Sequence, residues 1–180
     1  MALDLDWVGA AQANTSAIER RAASLGARRT VKKDYQAAWL LRAITCIDLT
    51  TLSGDDTKAR VKRLCDKARR PLRNDLLKAL DMASLQTGAI CVYHDMVETA
   101  VSALEGSGIP VAAVSTGFPA GLSPLGLRIA EIKASVAAGA REIDIVISRR
   151  QALTQNWQAL YEETQACRGA CGEAPVKAMR

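Results

Sequence analysis

Histidine occurs once in these 180 residues, as His94, and the five cysteines form no C-x-x-C pair. Nitrogen and sulfur ligands are therefore too few and too scattered for a structural metal site. Cys46, Cys65, Cys91, Cys167 and Cys171 lie in apolar or helical surroundings, which argues against a disulfide framework and for a reduced, cytoplasmic chain. Aromatic residues make up only 4% of the sequence, so few of them interleave with basic residues where bases could stack. No apolar run approaches the roughly 20 residues that span a bilayer. The opening MALDLDWVGA carries acids where a signal or transit peptide carries bases; neither secretion nor a membrane association is expected. Neither G-x-G-x-x-G nor G-x-x-x-x-G-K-[ST] occurs, so the fingerprints of dinucleotide and P-loop sites are missing.

What is present is a chain with 49% hydrophobic residues, ample for the core of one domain or a little more. The net charge of +5 is unevenly placed: residues 1–90 hold 16 basic and 10 acidic side chains, residues 91–180 hold 8 and 9. Ser16 with Glu19 has the spacing of a capping box, and Ile18, Ala22 and Leu25 share a face up to Gly26. A second helix is expected over residues 34–42, with Tyr35, Ala38, Trp39 and Leu41 available for packing. Residues 1–42 thus read as an N-terminal helical extension.

From residue 43 the period changes. Residues 43–52 (AITCIDLTTL) read as a strand, ending at a turn over Ser53 to Asp56, and residues 57–69 as a helix with Val61, Leu64, Cys65 and Ala68 on one stripe, closed before Pro71. The grammar repeats. Strands are expected at 88–93, 110–121 (running into a Gly/Pro turn), 142–148 and 174–180, alternating with helices at 96–105, 125–138 and 157–168. In the second of these helices Leu127, Ile129, Ile132 and Val136 are the apolar positions. Five steps of this kind define a parallel α/β protein whose functional loops lie at the C-terminal ends of the strands.

On strand count alone both a (β/α) barrel and an open flavodoxin-like sheet are allowed. The polar residues Asp48, Cys91, Ser115 and Asp144 inside otherwise apolar strands favour the barrel. Period-2 geometry places Asp48 with Cys46 and Thr50 on one strand face, and Asp144 with Glu142 and Val146 on another. A charge at such a depth needs a partner or a task.

The blocks Ile47-Asp48-Leu49-Thr50-Thr51-Leu52, Ala89-Ile90-Cys91-Val92-Tyr93, Gly117-Phe118-Pro119-Ala120-Gly121 and Glu142-Ile143-Asp144-Ile145-Val146-Ile147, in that order, resemble the deoxyribose-phosphate aldolase family. The lead-in Arg28-Arg29-Thr30-Val31-Lys32-Lys33 and the stretch LTTLSGDD from Leu49 to Asp56 resemble its eukaryotic branch. The resemblance runs over about residues 20 to 178 and covers the first part of the family's length. It implies a TIM barrel that cleaves a phosphorylated deoxysugar, 2-deoxyribose 5-phosphate, into glyceraldehyde 3-phosphate and acetaldehyde through a lysine Schiff base, with neither metal nor cofactor.

By the same resemblance Asp144 corresponds to the proton-relay carboxylate, and Asp48, Cys91 and Lys177 line the substrate pocket. The Schiff-base lysine, its cationic neighbour and the phosphate cradle fall on later strands. The expectation is therefore an incomplete (β/α)8 barrel over 43–180, about the first five βα units, inactive alone. Lys177, near a frayed end, is not expected to serve as the nucleophile. Edges exposed on the first and fifth strands predict self-association, as a homo-oligomer or by pairing with a full-length subunit. His94 stands where the family usually has proline and reads as a surface residue. Two non-enzymatic readings stay open: a fragment or isoform that binds full-length subunits, and a basic nucleic-acid-associated protein. The latter would use Lys58, Arg60, Lys62, Arg63, Lys67, Arg69 and Arg70 with Arg20, Arg21, Arg28, Arg29, Lys32 and Lys33. A solvated helix face accounts for the same charges with nucleic acid playing no part.

Overall fold

A computed structural model describes residues 2–28 and 30–179; Arg29 of the basic lead-in and Arg180 of the fifth expected strand lie outside the described residues. The chain forms two compact units, Met1–Leu40 and Leu41–Arg180.

In the first unit, α1 (Leu5–Ala10) begins where the Asp4 carboxylate accepts the Trp7 amide at 2.9 Å. Its acids, read above only as evidence about sorting, are a cap and a first-turn charge. The second helix, α2 (Thr15–Leu25), is capped by Asn14, which accepts from the Ala17 N–H at 2.9 Å. Ser16 of the expected capping box therefore lies inside the helix. The third, α3 (Lys33–Ile44), extends beyond the expected 34–42. Contrary to the expectation of packing, Tyr35 and Trp39 are 77% and 64% exposed. At about 100° per residue Leu41 falls some 240° round from Tyr35, so these side chains make no single stripe.

The second unit begins its sheet later than expected. Residues 43–47 continue α3 and then turn, with the Cys46 and Ile47 amides donating to the Ala43 and Ile44 carbonyls at 3.0 and 3.2 Å. Strand β1 is Asp48–Thr50. Then follow α4 (Lys58–Arg69), capped by Thr57, and the unanticipated α5 (Asn74–Ala79). Next come β2 (Ala89–Tyr93), a short 3-10 turn and α6 (Val97–Ala103), then β3 (Val111–Ser115) and α7 (Leu125–Ala137). Last are β4 (Glu142–Val146), the five-residue α8 (Arg149–Leu153), also unanticipated, α9 (Trp157–Ala170) and β5 (Val176–Met179).

All five strands are parallel, in the order β1-β2-β3-β4-β5. Alternate residues separate two faces. Ile90, Val92, Val111, Ala113, Ile143 and Ile145 pack under the helices, against Val61 and Cys65 of α4, Val97 of α6, Ile132 of α7 and Cys167 of α9. On the opposite face Cys91, Ala112 and Val114 form a small cluster with Leu52, Tyr93, Phe118 and Met179. A doubly wound sheet reverses its strand order and carries helices on both faces. Sequential order with helices on one face is instead the arc of a β/α barrel. The sheet is strongly curved. Five strands laid flat would separate β1 from β5 by about 19 Å, whereas a lysine and an aspartate reaching toward each other span about 13 Å; yet Lys177 of β5 is hydrogen-bonded to Asp48 of β1.

Helix α7 departs from its expected apolar stripe: Leu127 is 64% exposed, while Arg128, Ile132 and Ser135 are the buried residues. Arg128 is tolerated there because its Nη1 pairs with Glu163 of α9. Among the described residues no helix is long and apolar enough to cross a membrane.

Candidate functional site

The register of the parallel sheet brings the singled-out residues together. Thr50 lies beside Cys91, Val114 beside Asp144, and Asp144 beside Lys177. Because neighbouring residues in register share a face, Asp48, Cys91, Asp144 and Lys177 all belong to the concave side. Glu142, two residues before Asp144, joins them. Ser115 does not: its place in β3 is on the side covered by the helices, and it is buried there.

Lys177 is the hub. Its Nζ contacts Asp48 Oδ2, lies 2.9 Å from Glu142 Oε2 and 3.2 Å from Asp144 Oδ1. The Asp144 contact is an ion pair without hydrogen-bond alignment, so that buried oxygen keeps a lone pair unengaged. The other Asp144 oxygen accepts from Cys91 Sγ at 3.7 Å. Depth decreases outward: 11% of the Asp144 side chain is exposed, 26% of Glu142, 37% of Lys177 and 40% of Asp48. Asp48 is thus less deeply placed than its apolar sequence context suggests, because β1 is an edge strand three residues long.

The electrostatics follow from these contacts. Burial holds the Asp144 carboxyl above the ordinary carboxylate range, with Lys177 opposing and Asp48 adding to the shift. Burial also pushes the Cys91 thiol up to about 12, reinforced by the Asp144 charge, so it is no ready nucleophile at neutral pH. For Lys177 burial alone would lower the pKa, but hydrogen bonds to Asp48 and Glu142 and the charge of Asp144 outweigh it and raise the ammonium above its ordinary value. The sequence argument against Lys177 as a nucleophile was fraying. The structure supplies a different reason: β5 is paired along β4, and the amine is held protonated by three carboxylates. An imine-forming lysine needs the reverse shift.

Above the strand ends, the turn after β3 is built on Thr116 (φ 62°) and Gly117 (φ 72°). The Thr116 hydroxyl accepts from Val146 N at 2.6 Å and donates to Val146 O at 3.2 Å, clamping this turn to β4. Gly117 N donates to Glu131 Oε2 at 2.9 Å, and the other Glu131 oxygen lies 3.6 Å from His94 Nδ1. His94 is half-exposed, as read. Phe118 packs edge-on against Tyr93 with ring centroids 6.0 Å apart, forming one wall of the hollow. Sequence reasoning left Glu142, Thr116 and Glu131 out of the site. Only Glu142 had a signal, its period-2 relation to Asp144. Among the described residues no group of three or more His, Cys, Asp and Glu side chains is arranged to hold a metal ion.

Three members of the basic cluster are engaged elsewhere: Arg60 pairs with Asp55 at 3.1 Å and Asp56 at 3.3 Å, Arg69 Nη2 donates to the Ala103 and Glu105 carbonyls at 2.9 and 2.8 Å, and Arg28 donates to Ser24 Oγ at 2.9 Å. Arg29 of that cluster lies outside the described residues.

Comparison with known proteins gives a consistent result. The sequence model of the DeoC/LacD family of aldolases matches residues 42–179. Deoxyribose-phosphate aldolases of Bos taurus and Homo sapiens are each 55% identical over 179 residues, 97% of this chain and 56% of theirs. The chain thus spans little more than half the length of these curated relatives. Among solved structures, a putative deoxyribose-phosphate aldolase from Coccidioides immitis is similar with a TM-score of 0.65 and 25% identity, over 77% of this chain and 49% of that one. The tetrameric deoxyribose phosphate aldolase of Aeropyrum pernix matches in fold, with a TM-score of 0.55 and 22% identity over 77% and 52%.

Proposed function

Since the chain belongs to the DeoC/LacD family of aldolases, we propose that it carries the proton-handling half of a class I aldol site for 2-deoxyribose 5-phosphate. In that chemistry a neutral lysine amine condenses with the substrate aldehyde, releasing water. As the C–C bond breaks, the hydroxyl proton goes to a base and the electron pair to the imine, leaving an enamine that is later protonated at carbon. Asp144 is suited to hold and return those protons, directly or through water, because burial keeps its pKa high and one of its oxygens has no aligned hydrogen bond. Lys177 acts as a fixed cation that orients Asp144, with Asp48 and Glu142 holding Lys177 in place. The observation that carries this reading is the convergence of three carboxylates on the Lys177 ammonium beside Cys91.

On this reading the imine-forming amine is not Lys177, and the expectation is that the 180-residue polypeptide alone does not turn over the substrate. Borohydride reduction in the presence of acetaldehyde, followed by mass spectrometry, should leave the chain unmodified at Lys177; an adduct there would overturn the assignment. The aldolase reading is tested by joining this segment to the remaining length of the Bos taurus relative. The folded chimera should cleave 2-deoxyribose 5-phosphate, and Asp144→Asn should lower kcat by about 100-fold or more. A folded chimera without turnover, or one indifferent to Asp144→Asn, refutes it.

Among the described residues no further strand pairs with the outer edges of β1 and β5, which favours a second reading, association with a longer subunit of the same family. Co-purification of the 180-residue chain with such a subunit is the expected result, and its absence removes this reading.

A further inference from the structure

Beside the carboxylate hollow, the loops that follow β3 and β4 line a half-open cavity of about 700 Å³. That volume is in the range of small-ligand pockets, about 300 to 1,000 Å³. None of Asp48, Cys91, Asp144 and Lys177 lines it, so its chemistry is separate from the aldol site.

One wall is apolar. Leu122 and Leu125 belong to it with Leu153 of α8, and Leu122 and Leu153 are 84% and 85% exposed. The other wall is basic. Arg128, Arg149 and Arg150 line the cavity against a single carboxylate, Glu163. That carboxylate is already committed, accepting from Arg128 Nη1 and from Ser148 Oγ at 2.8 Å. Among the described residues Arg149 and Arg150 have no acidic partner.

The decisive observation is Arg128. It is only 5% exposed, and its Nε is enclosed without any hydrogen-bond partner. A buried guanidinium N–H left without an acceptor is costly, and native proteins retain few such groups. Helix α7, 13 residues long, starts at Leu125 on the same rim, and no side chain caps it. Its first amides add to the positive potential there.

An excess of two positive charges, an orphaned buried N–H, an uncapped helix start and exposed leucines ask for a ligand of matching polarity. We propose that this cavity binds a small organic anion. Its phosphate or carboxylate head sits among Arg128, Arg149 and Arg150, and its apolar body lies against Leu122, Leu125 and Leu153.

Calorimetric titration of the 180-residue chain with phenyl phosphate, phenylacetate and inorganic phosphate tests this. One of the two aryl anions should bind saturably at one site, at least tenfold more tightly than inorganic phosphate, and which one does so identifies the head group. The double variant Arg149→Ala with Arg150→Ala should weaken that binding at least tenfold with an unchanged circular dichroism spectrum. If the double variant does not fold, Leu153→Ser, at an exposed position, should weaken the aryl anion while leaving inorganic phosphate unaffected. Saturable binding by neither aryl anion at millimolar concentration overturns the proposal. So does equal affinity for inorganic phosphate, or binding indifferent to these substitutions.

Discussion

Replacing Lys177 by methionine keeps most of the side-chain length and deletes the charge that three carboxylates share. At the 3.2 Å separation of Nζ and Asp144 Oδ1, the attraction is about 5 kcal/mol at an effective dielectric near 20. Desolvation and solvent screening remove more than half of it, because over a third of the Lys177 and Asp48 side chains is exposed. The variant should lose about 2 kcal/mol of stability at pH 7, since it leaves a buried carboxylate without its cation.

The loss carries a pH signature. Asp144 already has a raised pKa in the folded protein, and removing the ammonium raises it further. A carboxyl whose folded pKa lies above its unfolded value destabilises the fold only when ionised. Its penalty is complete above the folded pKa and gone below about 3.8. The gap between variant and parent should therefore narrow from pH 7 to pH 4. In the parent, Lys177 has a folded pKa above the ordinary lysine value of 10.5. Its stabilisation is complete below 10.5 and is lost as pH rises through the higher folded value; the variant should lack this alkaline decline. Urea unfolding followed by circular dichroism measures both effects. With a slope of about 2 kcal/mol per molar, the midpoint should fall by about 1 M at pH 7. An unchanged or higher midpoint at pH 7, or a gap that does not vary with pH, would refute the reasoning.

Alkylation at pH 8 should modify Cys46, the exposed cysteine, well before Cys91, whose thiol is buried and pushed up to about 12; peptide mapping that finds Cys91 labelled as fast as Cys46 contradicts the electrostatic picture. Gly121→Ala should cost about 2 kcal/mol or more. The reason is that Gly121 has φ +68° and an added Cβ would stand 2.9 Å from Val146 Cγ1; a thermal melt matching the parent would show that this turn gives way freely.

The strands were legible because their apolar runs are short and flanked by turn residues. Four of the five begin within about two residues of where the pattern places them, and the first begins later because α3 runs on through Ile44. The helix-facing core was legible for a similar reason: Val61, Cys65 and Ala68 repeat at the helical period and are fully buried. The capping of α2 was misread because Asn14 and Ser16 are both competent caps, and only backbone geometry chooses between them. Helices α1, α5 and α8 span five or six residues, too few for a period to register. At the site, Asp48 and Asp144 stand out as charges inside strands, but the convergence on Lys177 depends on sheet curvature joining positions 129 residues apart. No local pattern reports that. The same holds for Glu131, whose bond to Gly117 N joins a helix to a turn through tertiary placement alone.

In β4, neighbouring residues have different employers. Ile143 and Ile145 lie under the helices while Glu142 and Asp144 face the hollow. Sliding this one strand by a single position would bury two carboxylates beneath α7 and α9 and leave two isoleucines where charge is needed. Folding and chemistry are thus guarded by the same error check: a chain that mispairs β4 loses its core in the act of losing its site, so no stable but chemically scrambled version of the sheet can accumulate.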